Sequence, residues 1–261
     1  MPKTWKAFTY EDKAYEYSAA SLKKAWGRLH AGDAEPLPKD TASLNAWMAF
    51  HAGDFSKAVD LGLAAGTSSG SNAANKAQVI YATYLESNEK KQLALYEEVA
   101  KRCEALQAAD PANANSFYLY AYAMGRYGQG IGVVKAATSG IAGKVKNALD
   151  TTLKLAPKHA DAHIALGTYH AEIIDKVGAM LGGLTYGASK ETGLKMFKKA
   201  LELNPDSAIA RIEYANGLVM LEGKKKIAEA EKLYQQATEH MPMDAMERLD
   251  VELAKAEMED D

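Results

Sequence analysis

The stretch ALELNPDSAIARIEYA (200–215) reads as the end of an amphipathic helix, a proline stop and the start of a second helix. TLKLAPKHADAHIALG (152–167) and ALQAADPANANSFYLYA (105–121) share its layout. In all three a small residue (Ala215, Gly167, Ala121) follows the proline (Pro205, Pro157, Pro111) by ten positions. Upstream, Gly193, Phe197, Ala200 and Pro205 repeat their spacing in Ala230, Tyr234, Ala237 and Pro242, and more loosely in Val145, Leu149, Thr152 and Pro157. Small residues let antiparallel helices approach closely, a large apolar residue one turn on fills the groove between them, and proline ends the second helix. The repeated unit is a helix pair.

The rest of the chain agrees. Of 261 residues only seven are proline; Ala, Leu, Lys and Glu are abundant and no strand pair is evident, so helix is expected throughout. Charge is nearly balanced, 31 Lys+Arg against 34 Asp+Glu, with the basic residues scattered, which is not the footprint of a nucleic-acid binder. The single cysteine, Cys103, excludes an internal disulfide framework. The N-terminus is charged and aromatic rather than signal-like, and no run approaches the roughly 18 apolar residues of a membrane span. A cytoplasmic protein is expected, or a periplasmic one if a leader has been removed.

These residues resemble the tetratricopeptide repeat, in which small, aromatic and proline positions recur about every 34 residues. AWMAFHAGDFSKAVDLGLAAG (46–66) adds Gly53, Phe55 and Ala58 in the turn and second-helix start, and the resemblance covers roughly 42–241. From Ala162 onward, DAHIALGTYHAEI, ETGLKMFKKALELNP and EGKKKIAEAEKLYQQA look like the helical domains of the regulator of microtubule dynamics proteins. More distantly they resemble the T-component proteins of tripartite periplasmic transporters. The first resemblance implies a scaffold or lipid-handling role; the second implies small-molecule binding in a helical cavity. The membrane anchor and coiled coil often found in the eukaryotic group are not evident, which puts a microtubule or organelle role in doubt.

The expected fold is therefore all-α, a right-handed superhelix of antiparallel helix pairs with two apolar glycine-rich inserts. Residues 1–40 would form an irregular N-terminal helical pair, 41–242 the repeat array, and 243–261 a C-terminal helix and acidic tail. In such arrays the first helix of each pair lines the concave face. Alignment on Ala46, Ala82, Ala121, Gly167 and Ala215 places Trp47, Phe50, Val79, Thr83, Tyr118, Tyr122, Ile164, Thr168, Ile212 and Asn216 there, with Ser43, Glu86, Ala171 and Val219. That set holds no Lys or Arg, so the carboxylate clamp of chaperone-binding repeats is not expected. The stripe is either buried by closure of the superhelix or a partner, or forms an apolar pocket.

Pro111, Pro157 and Pro205 stand 46 and 48 residues apart, so two neighbouring repeats carry extra material: GRYGQGIGVVKAATSGIAGK (125–144) and KVGAMLGGLTYGASKET (176–192). Their apolar residues (Val133, Val134, Met180, Leu181, Leu184 and Tyr186, with Ile131, Ile141 and Val177) should fold inward or against a partner, as groove filler, cavity wall or oligomer interface. Filler is the favoured use, since the glycines suit tight packing.

GQGIGV and SGIAGKV lack the strand context and offsets of nucleotide-binding loops. His159, His163 and His170 lie near one helix, but His159 precedes it and His170 takes the packing position of the repeat. No metal, cofactor or catalytic residue is expected, and the function expected is a non-enzymatic protein–protein scaffold. The alternative is a carrier of an apolar small molecule or lipid in the concave groove. Self-association through the inserts, or through Trp5, Phe8 and Tyr10, is a third possibility.

Overall fold

The computed structural model describes residues 5–259; the first four residues and the end of the acidic tail, Asp260 and Asp261, lie outside it. Among the described residues there is no strand. The α-helices are α1 (Ala19–Leu29), α2 (Thr41–His51), α3 (Phe55–Ala65), α4 (Ser68–Tyr84), α5 (Glu89–Ala109), α6 (Ala114–Ile131), α7 (Val133–Thr138), α8 (Ile141–Leu155), α9 (Ala160–Val177), α10 (Ala179–Tyr186), α11 (Lys190–Leu203), α12 (Ala208–Glu222), α13 (Ile227–Thr238) and α14 (Ala245–Glu259). Between Tyr10 and His30 the chain forms a single 3-10 turn, Lys13–Tyr15, and α1.

Packed pairs are α2/α3, α4/α5, α6/α8, α9/α11 and α12/α13, so the structure is an array of helix pairs. Side chains of Asp40, Thr67, Asn113, His159 and Ser207 accept a backbone N–H at the start of the five first helices. They satisfy donors that a helix start leaves unpaired. Pro111, Pro157, Pro205 and Pro242 each fall just after a second helix has ended. Phe197 of α11 shows why the repeat needs its small residues. It is fully buried, and a Cβ on Gly167 of α9 would come within 2.8 Å of its ring, while one on Gly217 of α12 would penetrate it. One ring thus seals three helices.

Both inserts are short helices, α7 and α10. Each corner of the α10 segment is a glycine in the left-handed region, Gly178 at φ 90° and Gly187 at φ 63°, with Gly132 and Gly140 in the same roles around α7. A Cβ on Gly182 would sit 3.2 Å from Ile173 Cγ2, and one on Gly128 3.1 Å from Ala136 Cβ, so small residues seat both helices on the array. The expectation that the large apolar residues point inward is corrected here. Met180, Leu181 and Leu184 are 80%, 53% and 83% exposed, and Val134 is also exposed. Seating through glycine and alanine turns the bulky side chains outward. Of the expected inward set, Val133, Ile141, Val177 and Tyr186 are half-buried.

The array closes on itself. α14 returns to the first helix pairs, where His51 Nδ1 and Asp244 Oδ2 are 2.7 Å apart, the Tyr84 hydroxyl donates to Asp250 at 2.5 Å and Arg28 donates to Glu247 at 2.6 Å. The loop between α1 and α2 fills the centre: Gly32 O accepts from Asp161 N at 3.0 Å, and Asp33 binds Lys76 Nζ at 2.5 Å and His30 Nδ1 at 2.8 Å. Glu35 accepts from Ser69, Asn72 and Asn115 at 2.9, 2.8 and 2.7 Å.

Candidate functional site

Closure leaves a cavity of about 140 Å³ between α4, α6, α7, α8, α9, α12 and α14. Its apolar lining includes Leu119 of α6, Val133 and Ala136 of α7, Ile141, Val145 and Leu149 of α8, and Ile173 of α9. Its polar and tyrosine lining is Lys76, Tyr84, Tyr118, Tyr122, Arg126, Asp161, Thr168, Glu172, Glu213 and Asp250. α6 and α9 frame it lengthwise. The Tyr118 and His159 rings are 4.5 Å apart at one end, and Gln129 donates to Glu172 at 2.6 Å at the other. Asp161, Ala165, Thr168 and Glu172 share one face of α9 at helical spacing and all line the cavity.

One position in the wall lacks a packing reason. Gly125 lies inside α6, where glycine costs about 1 kcal/mol relative to alanine. A Cβ there would meet nothing within 4 Å, and the residue lines the cavity.

The polar lining is mostly self-neutralised. Arg126 is held by Glu213 at 3.2 Å and Gln129 at 3.1 Å, and lies over the Tyr122 ring at 5.6 Å. Glu213 also accepts from Thr168 at 3.0 Å. Burial favours the free base of Lys76, but the Asp33 carboxylate outweighs it and keeps the ammonium charged well beyond its ordinary range. Burial raises Asp250 well above the carboxylate range and raises Glu172, each against a hydrogen bond that favours ionisation, from Tyr84 and Gln129 respectively. Glu35 is pushed up to about 8 by burial, then by Asp33, against its three donors. Asp161 is different. Burial pushes it up to about 6, against the Lys76 charge, and no hydrogen bond or ion pair reaches its carboxylate among the described residues.

Of the residues aligned from sequence, Val79, Tyr118, Tyr122, Ile164 and Thr168 line the cavity, joined by Val133 from the first insert. The others are engaged elsewhere. Trp47 and Phe50 are buried in an aromatic cluster with His51, and Trp47 also packs edge-on to Trp26 and His30. The Thr83 hydroxyl meets Tyr96 and Tyr122 at 3.1 and 3.3 Å, Ile212 is buried beside Val251 and Ala254, and Asn216 accepts from Tyr234 at 2.6 Å. The expected groove without Lys or Arg is corrected: Lys76 and Arg126 both line the cavity. They stand one turn beyond the aligned residues, Lys76 before Val79 and Arg126 after Tyr122. Continuing the same register would have reached them, and Gly125 and Glu172 as well. The contribution of the second helix α8 had no signal in a first-helix alignment.

The three histidines near α9 are occupied separately. His159 caps the helix by accepting from Ala162 N at 3.1 Å and lies 2.9 Å from Asn115; His163 lies 3.1 Å from Pro157 O; His170 accepts from Ser189 N at 3.2 Å. No cluster of three or more metal-ligating side chains occurs among the described residues. No helix of the described residues is long and apolar enough to cross a membrane.

The family model described as regulator of microtubule dynamics protein 1-3 matches residues 51–260, well over half of the chain. No curated protein sequence matches it.

Proposed function

The chain belongs to the regulator of microtubule dynamics protein 1-3 family; from the geometry of the cavity between α6, α8 and α9 we propose that it is a non-enzymatic binding protein that takes up one small, apolar-bodied molecule there. The observation that carries this reading is Gly125, a helix-interior glycine facing open space. A volume near 140 Å³ with a substantial apolar lining has room for a small molecule rather than an extended peptide. The long groove that repeat arrays offer to peptides is filled here by α14 and the α1–α2 loop, which favours an enclosed ligand over an extended one. Native mass spectrometry after gentle purification, followed by organic extraction, tests it. The native chain should carry or take up a single apolar-bodied molecule that Gly125→Leu excludes. A chain that stays ligand-free and ignores a set of small aromatic and aliphatic compounds would overturn the reading.

A second reading, a protein–protein scaffold, is favoured by α10. Its outward Met180, Leu181 and Leu184 form an apolar face of the kind that marks interaction sites. Replacing Leu184 with Lys should then abolish partner capture without changing stability, and unchanged capture would count against this face.

A further inference from the structure

The cavity wall carries more acid than base. Its two cations are spoken for, Lys76 by Asp33 at 2.5 Å and Arg126 by Glu213 at 3.2 Å. Two of its remaining acids have donors, Asp250 from Tyr84 and Glu172 from Gln129. Asp161 has none among the described residues. Its place is set by the backbone, since its own N–H is tied to Gly32 O at 3.0 Å and a Cβ on Gly32 would come within 2.8 Å of its carboxyl carbon. The carboxylate therefore lies against the α1–α2 loop at Gly32, where the missing side chain makes room for it. It borders both the main cavity and a smaller neighbouring one of about 20 Å³, room for one water or one small polar head. Asp161 is half-buried, and an ionised carboxylate that is partly desolvated without a donor gains from a cation or strong donor supplied by a ligand.

We propose that the occupant of this cavity is a monocationic amine with an apolar body, its ammonium bound by Asp161 and its body lying along the apolar lining of α6, α8 and α9. This rests on the reading of the cavity as a ligand site and names the chemistry of its occupant. Tyr118, which lines the same cavity, adds an aromatic ring of the kind that attracts cations. Asp161 and Glu172 are eleven residues apart on α9, a rise of about 16 Å that sets an outer bound on the length of the body.

Three compounds with one body and different heads test this: 4-phenylbutylamine, 4-phenylbutanol and 4-phenylbutyrate, titrated calorimetrically at pH 7 against the native chain, Asp161→Asn and Gly125→Leu. The amine should bind the native chain about 10- to 100-fold more tightly than the alcohol, the range expected of a hydrogen bond to a charged group. Asp161→Asn should bring the amine to within about twofold of the alcohol while the alcohol's own affinity holds, which also reports that the variant is folded. Gly125→Leu should weaken both. If amine and alcohol bind the native chain equally, the cavity reading stands and the ammonium assignment falls. Tightest binding of phenylbutyrate would move the recognition to Arg126 or Lys76 and equally overturn it. Failure of all three to bind removes the cavity reading with it.

Discussion

Gly125 and Gly217 make a matched pair. Both are interior helical glycines, in α6 and α12, and alanine should gain about 1 kcal/mol at either through helix propensity alone. Their surroundings then separate them. At Gly125 the new methyl meets nothing within 4 Å, so the gain should appear undiminished as a rise in melting temperature of about 2–4 °C for a chain of this size. At Gly217 the methyl penetrates the Phe197 ring, which is fully buried and also backed by Gly167 at 2.8 Å from a notional Cβ. Overpacking of that kind costs about 1–3 kcal/mol, enough to outweigh the propensity gain and lower the melting temperature. Thermal and urea unfolding followed by circular dichroism measure both. If Gly125→Ala destabilises by more than about 1 kcal/mol, its wall is already packed and the reasoning about open space is refuted; that threshold is the propensity gain with its sign reversed.

Three further outcomes are expected. Leu181→Ala should change stability by no more than about 0.5 kcal/mol, because the side chain is 53% exposed, rather than by the 2–5 kcal/mol of a buried leucine; urea denaturation decides. Asp161→Asn should stabilise the ligand-free chain above pH 6. The folded carboxyl sits at about 6 against an ordinary 3.8, so its penalty is full above pH 6 and fades as pH falls toward 3.8. The ceiling is roughly 3 kcal/mol at pH 7–8, and because Asp161 stays partly open to the cavity about 1–2 kcal/mol is expected; a gain that persists undiminished at pH 4 would contradict the cause. His159 should stay neutral between pH 7 and 5 as its Nε2–H tautomer, since Nδ1 accepts the α9 cap and burial pushes the ring down to about 3. Nitrogen NMR showing titration near pH 6.5 would remove that cap.

The helix pairs were legible because their signal is local. Gly193, Phe197, Ala200 and Pro205 carry the whole argument for close approach, filling and termination within thirteen residues, and the structure seats Phe197 between Gly167 and Gly217 accordingly. The site was half legible. Tyr118, Tyr122, Ile164 and Thr168 follow from the first-helix register, and the same register continued one turn would have added Gly125, Arg126 and Glu172. Closure was not legible. It depends on pairs such as Tyr84–Asp250 and His51–Asp244, far apart in sequence with no local pattern to announce them. The inward-facing alternative for the inserts failed for a different reason. Apolar content argues for burial only when the large residues face the protein, and in α10 the seating contacts are made by Gly182 while Met180, Leu181 and Leu184 face out.

Entry of a ligand into the array beside Gly125 is followed by amide NMR during a titration with 4-phenylbutanol. The uncharged head makes the result independent of Asp161. Shifts should concentrate on Gly125, Val133, Ile141, Val145 and Thr168, the residues that meet across the cavity, and should vanish in Gly125→Leu. Shifts confined to α10 around Met180 and Leu184, or persisting in Gly125→Leu, would place the apolar site on the outer surface and contradict the account.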